Sequence, residues 1–248
     1  MASTIETGHA RLINNFDLFI AFLVAYGAVY NPSKASIKIT ALNTQLAGAR
    51  SALTAVNSAI PNLKTAIAAR DAAFAILNKL STRIINALKA TDAPDQLVEN
   101  ARTYIRKIQG SRAKAKTVTP ADSATETKDI EPKQISTSQM SFDNRLDNFD
   151  KLIKLVAGIP LYAPNENDLK VVTLTATLND LKAKNAAVIA ALVPLSNARI
   201  ARNEALYNPK TGLVATAIEV KAYVKSLFGA TSPQYKQISS LEFKTQKF

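Results

Sequence analysis

The feature that most constrains this chain is that it repeats itself. Asn15-Phe16-Asp17 recurs as Asn148-Phe149-Asp150, 133 positions on, and Arg11-Leu12 recurs as Arg145-Leu146. Tyr30-Asn31-Pro32 returns as Tyr162-Ala163-Pro164 at an offset of 132. Beyond it Leu42, Leu46 and Val56 match Leu174, Leu178 and Val188, and Ala69-Arg70-Asp71 matches Ala201-Arg202-Asn203. A register that holds this far with one single-residue slip is the mark of a structural unit used twice. The pattern predicts two homologous halves, residues 1–110 and 141–248.

Between them, residues 111–140 hold nine Ser/Thr, mixed charges and two Pro, with few large apolar side chains. Such a stretch buries too little surface to offset its ordering entropy, so it reads as a flexible linker.

Neither half shows the strict alternation of a half-buried strand, whereas both show helical spacing. Leu42, Leu46, Ala49, Leu53, Val56, Ile60, Leu63 and Ile67 fall at alternating steps of four and three. That spacing lines one face of a helix in the manner of a heptad seam. The second copy reads Leu174, Leu178, Leu181, Asn185, Val188, Leu192 and Leu195, with Asn185 in the place of Leu53. A polar seam residue either fixes pairing register or is simply half-exposed. Pro61 and Pro194 interrupt these runs at nearly equivalent places, yet the phase continues past Pro61 and residues 190–195 are too apolar for an exposed turn. Long helices kinked at proline are expected in preference to broken ones.

The fold expected is therefore all-α: two bundle-like or coiled-coil-like halves of long helices. Each half has a first helix (about 9–29 and 142–158), a Tyr-x-Pro turn, a long second helix (about 33–90 and 165–207) and a closing helix. The segment Asn165-Glu166-Asn167-Asp168 reads as a capped helix start. Asn208-Pro209-Lys210-Thr211-Gly212 reads as a break before a helix to about Phe228.

Composition then removes function classes. The 248 residues contain no Cys, no Trp and one His. Disulfide frameworks, thiol enzymes, Cys-ligated zinc and iron–sulfur clusters all require cysteine, and multi-histidine metal sites require more than one imidazole. No G-x-x-x-x-G-K, G-x-G-x-x-G or serine-centred elbow occurs, and the carboxylates are too dispersed for a calcium cage. No metal, cofactor or catalytic residue is expected, and the chain reads as a non-enzyme.

The single imidazole, His9, lies near the N-terminus, where a capping or surface role outweighs a catalytic one, since a base needs an orienting partner and a pocket. Asp17, Asp71, Asp147, Asp150 and Glu204 are carboxylates set among lysines and arginines, a pattern of solvated or ion-paired helix faces more than of an acid/base pair. The recurring Asp17 and Asp150 have Arg70 and Arg202 as candidate partners, which recur too.

The formal net charge is +12, shared almost evenly between the two halves, which draws a chain toward polyanions without saying how it folds. The densest patch is Arg102, Arg106, Lys107, Arg112, Lys114 and Lys116, with Tyr104 as a stacking ring. It reads either as a nonspecific nucleic-acid contact or as a helix end whose cations complement the C-terminal dipole. Leu18 to Tyr30 is strongly apolar but only 13 residues long, too short for a membrane-spanning helix of about 20 residues. Its counterpart carries Lys151 and Lys154, so no membrane span is expected, and with no export signal read at the start a cytoplasmic location is the default expectation. Leu18 and Phe22, against Lys151 and Leu155 in the second copy, mark a candidate interaction surface. Phe228 and Tyr235, flanking the turn at Gly229–Pro233, read as packing onto the last helix or as a docking epitope.

The stretches TGHARLINNFDLF, AYGAVYNPS, YIRKIQGSRA, FDNRLDNFDKLIKLV, PLSNARIARNEALY and VKSLFGATSPQYKQISSLEF resemble a family of uncharacterised bacterial helical proteins with a two-half layout. That resemblance spans nearly the whole chain and implies the architecture alone. The function expected is a non-enzymatic scaffold whose long helices bind a protein partner or a second copy, with nucleic-acid binding through residues 102–116 as the alternative.

Overall fold

The computed structural model describes residues 4–110 and 140–244, and every described regular element is helical. The first part of the chain gives α1 (Thr4–Ala25), α2 (Ile39–Ala75), α3 (Leu77–Lys89) and α4 (Asp95–Gln109). The second gives α5 (Phe142–Ala157), α6 (Val171–Tyr207), α7 (Leu213–Phe228) and α8 (Pro233–Ser239). Single 3-10 turns over Ala35–Ile37 and Asn167–Leu169 lead into α2 and α6. The linker expected over residues 111–140 lies outside the described residues except for Met140.

Local chemistry accounts for several helix ends. Gly27, at φ +60°, turns the chain just beyond α1 in a conformation L side chains resist. Ser141 caps α5 by accepting from the Asn144 amide at 3.2 Å, with Asp143 in the first turn beside the positive end of the dipole. Ser232 does the same for α8, accepting from the Tyr235 amide at 3.1 Å with Pro233 at the first helical position. Gly110, at φ +70°, closes α4, with Arg106 and Lys107 in its last turn.

Two sequence expectations are corrected at this level. The long helix expected over 33–90 is two helices, because α2 ends at Ala75 and α3 starts at Leu77 after a break at Ile76. The capped start expected at Asn165–Asp168 is a 3-10 turn without a side-chain cap, and α6 begins only at Val171. The prolines fall as expected inside continuous helices, Pro61 in α2 and Pro194 in α6, each helix running 37 residues.

The chain divides into two compact units that do not coincide with residues 1–110 and 141–248. The first unit joins residues 1–65 to 190–248, and the second is the continuous stretch 66–189. Each unit therefore takes its first helix from one part of the chain and its closing helices from the other.

In the first unit α1 buries Leu12, Ile13, Phe16, Phe19, Ile20 and Leu23, a stripe at steps of three and four that faces Leu42, Leu46 and Ala49 of α2. The α7 residues Leu213, Val214, Ala217, Val220 and Val224 and Ile238 of α8 complete that core. The second unit repeats the scheme with Leu146, Phe149, Leu152, Ile153 and Val156 of α5 and Leu174, Leu178 and Leu181 of α6. It is closed by Leu77, Leu80, Ile84 and Leu88 of α3 and Val98, Ala101, Ile105 and Ile108 of α4. Burial at these positions, at about 1.5–3 kcal/mol for a large aliphatic or aromatic side chain, is the main stabilising contribution.

The two turns before the long helices are held alike. Tyr30 is buried and donates its hydroxyl to the Ile37 carbonyl at 2.6 Å, and Tyr162 donates to the Leu169 carbonyl at 3.0 Å. Each bond spans seven residues and fixes the end of the 3-10 turn. No helix among the described residues is long and apolar enough to cross a membrane. The apolar run Leu18–Tyr30 instead divides between buried Phe19, Ile20, Leu23 and Tyr30 and exposed Leu18, Val24 and Val29.

Candidate interaction surfaces

The basic segment begins on α4, in the second unit. Val98, Ala101, Ile105 and Ile108 turn one face of α4 into the core, which leaves Arg102 exposed and Arg106 and Lys107 half-buried. Arg102 forms an ion pair with Glu99 one turn back, and Arg106 donates to the Thr103 hydroxyl at 3.3 Å. Tyr104, the expected stacking ring, is half-buried against the unit's own core. Arg112, Lys114 and Lys116 lie outside the described residues. Within α4, then, Arg106 and Lys107 sit in the last turn, where they complement the dipole, and Arg102 and Arg106 engage neighbours on the same helix.

The four residues expected to mark an apolar surface belong to the first unit and separate into two kinds. Leu18 is 47% exposed on α1. Phe22, Phe228 and Tyr235 are half-buried and pack on the core. The Phe228 ring meets that of Tyr26 edge-on at 5.3 Å, and Tyr26 donates its hydroxyl to the Gln234 carbonyl at 2.8 Å. The ammonium of Lys225 stands over the Tyr235 ring at 6.0 Å. The segment around Gly229–Pro233 is thus a packed closure of α7 and α8 against α1.

His9 differs from the surface or capping role expected of it. Its side chain is fully buried, and its ring meets Tyr207 edge-on at 5.7 Å. A stripe that includes Leu12, Ile13 and Phe16 carries it inward, since position 9 lies three and four residues before positions 12 and 13.

The carboxylates pair with neighbours other than those anticipated. Asp17 accepts from Arg50 at 2.6 Å, Asp147 from Lys151 at 2.5 Å and Asp150 from Lys154 at 2.6 Å. Arg70 lies 3.7 Å from the adjacent Asp71, and Arg202 donates to Asn203 at 2.9 Å. Glu204 accepts from Asn208 one turn on. The exposed pairs Asp147–Lys151 and Asp150–Lys154 lie within one helix and contribute at most about 1 kcal/mol each. Asp17–Arg50 joins α1 to α2, and Arg202 is buried. Among the described residues no three or more His, Cys, Asp or Glu gather where they would hold a metal ion.

A cleft of about 490 Å³ in the second unit lies between α3 and the segment preceding α6, with Arg83, Asn86, Thr91, Tyr162, Asn165 and Glu166 on its walls. Two of its titratable groups, Arg83 and Tyr162, are already bonded within the protein. Arg83 binds Asp168 through both terminal nitrogens, which raises the guanidinium pKa and holds the Asp168 carboxyl below the usual carboxylate range. Burial pushes the Tyr162 phenol up to about 12 while its proton is donated to Leu169. Arg83, Asp168 and Tyr162 therefore offer no proton exchange near neutral pH.

The seam anticipated on α6 fails at one position, and the failure exposes a feature the sequence did not single out. Leu174, Leu178, Leu181, Val188 and Leu195 are buried, but Leu192 is 49% exposed. Val193 at 52% and Ile200 at 65% share its side of the helix, within about 100° of arc and about 12 Å along the axis, with exposed Ser196 between them. The only signal of this group in the sequence is that residues 189–195 are apolar on every side, including the side away from the seam.

Comparison of the chain with protein-family models, with curated proteins and with solved structures finds no match.

Proposed function

We propose that this protein is a non-enzymatic helical interaction module that associates with further copies of itself through α6. The observation that carries the reading is the group Leu192, Val193 and Ile200, aliphatic side chains about half or more exposed on one side of a helix that buries Leu195 and Leu206. Apolar surface in water is unfavourable by about 25 cal/mol per Å² left uncovered, and association is one way to cover it. Leu18 adds exposed apolar surface to the same unit.

The same reading takes residues 1–110 and 141–248 as copies of one helical unit. In support, α2 and α6 have equal lengths with an internal proline each, and both preceding turns are held by a tyrosine–carbonyl bond of the same span. The nucleic-acid alternative has less behind it, because Arg102 and Arg106 on α4 already engage Glu99 and Thr103.

Sedimentation of the purified chain over a range of concentrations tests the proposal. The expected result is an oligomer, or a sedimentation coefficient that rises with concentration, and L192D/I200D should convert it to a monomer with an unchanged helical spectrum. A chain that stays monomeric throughout, or an oligomer indifferent to those two changes, would refute the α6 surface.

A further inference from the structure

Each closing helix docks on the turn that precedes a long helix, and the contact carries opposite charges. In the first unit α7 lies against the Ala35–Ile37 turn, where Lys34 binds Glu219 at 2.7 Å. In the second unit α3 lies against the Asn167–Leu169 turn, where Arg83 binds Asp168 and also feels the charge of Glu166. Arg83 and Glu219 are both the seventh residue of their helices. Lys34 and Glu166 both stand immediately before their turns. The polarity is therefore inverted between the two contacts: residues 1–110 supply the cation to both, and residues 141–248 supply the carboxylates to both.

We infer that this inversion selects which closing helix docks on which turn, directing α3 to the turn before α6 and α7 to the turn before α2. The competing arrangement docks each closing helix on the turn of its own half in a second copy of the chain, because within one copy 37 residues of helix, about 55 Å, hold the two apart. That arrangement sets Arg83 against Lys34, and Glu219 against Glu166 and Asp168, so both contacts become repulsive. The two halves bury similar aliphatic residues, Leu77 and Ile84 against Leu213 and Val220, so apolar packing alone discriminates weakly between the arrangements. Discrimination by repulsion in the wrong pairing is how similar helices are kept to one partner. The pairs are half-exposed, so the selection is salt-sensitive. The inference rests on reading the two halves as copies.

The test uses the full-length chain and a carbodiimide, which joins an amine to a carboxylate in contact. In the wild type Lys34 should be linked to Glu219. In R83E/E219K the native docking has like charges at both contacts and the competing one has opposite charges. A link between copies, from Lys34 of one to the carboxylate introduced by R83E in the other, is then expected. A folded double variant that lacks this link would overturn the inference. Should the double variant not fold, K34E/R83E/E166K/D168K/E219K decides, because it restores opposite charges in the native docking. Recovery of the wild-type melting temperature supports the inference, and continued loss overturns it. Failure of the full reversal alongside equal costs for Y30F and Y162F would remove the charge rule and leave the duplication standing.

Discussion

Tyr30 and Tyr162 do the same work at two places, each tying a hydroxyl to a carbonyl seven residues on inside a buried turn. Replacing either by Phe leaves that carbonyl without its donor, so Y30F and Y162F should each lower the unfolding free energy by about 1–2 kcal/mol, read by urea denaturation. Costs that differ several-fold would mean that the two turns are not equivalent. The same residues set an alkaline limit. Burial raises both phenol pKa values, that of Tyr162 to about 12, while an unfolded tyrosine titrates near 10. A raised folded value favours the protonated form, so this stabilisation is complete below about pH 10 and is lost as pH rises through about 12. Stability measured from pH 9 to 12 should fall along that window in the wild type and less steeply in Y30F/Y162F. Gly212 is fixed by space: a Cβ there would stand 2.5 Å from the Asn208 amide nitrogen and 2.6 Å from its carbonyl oxygen. That loop is knotted on Asn208, whose side chain accepts from the Lys210 and Thr211 amides while its carbonyl accepts from Gly212. Gly212→Ala should destabilise by about 2 kcal/mol in calorimetry, and an unchanged melting temperature would contradict this close approach.

At the scale of the element, the long helices continue through their prolines although each proline removes one main-chain donor and crowds the preceding turn. Both prolines face solvent, so the neighbouring side chains do not depend on them for packing. Pro194→Ala should therefore raise stability by about 2 kcal/mol, measured by denaturant unfolding. No gain would mean that the helix is already distorted to suit the ring. Much of this level was legible in the sequence, because a period of three and four along Leu42–Val56 has only a helical explanation and the Asn208–Gly212 loop carries its own turn chemistry. The break at Ile76 was not, since no glycine or proline marks it and the residues on both sides are apolar. Leu192 misled for a related reason. Periodicity says which residues share a face, but whether another helix covers that face along its whole length is decided by residues far away in the chain.

The same limit applies to the whole molecule, where a repeat read from the sequence does not say which helices share a core. Correspondence between Phe16 and Phe149, or between Leu42 and Leu174, places each residue in an equivalent core without saying which partners fill it. Helices as long as α2 and α6 carry the chain out of one compact unit and into the other, so α1 shares a core with α7, and α5 shares one with α3. Buried His9 and the docking of Phe228 and Tyr235 follow from that exchange, and each requires contacts across most of the chain length. Native-state hydrogen exchange at increasing denaturant measures the exchange directly, because amides that open together share one free energy. The account predicts that amides of α1 open with those of α7, and amides of α3 with those of α5. Amides of α1 opening with those of α3, and amides of α5 with those of α7, would contradict it.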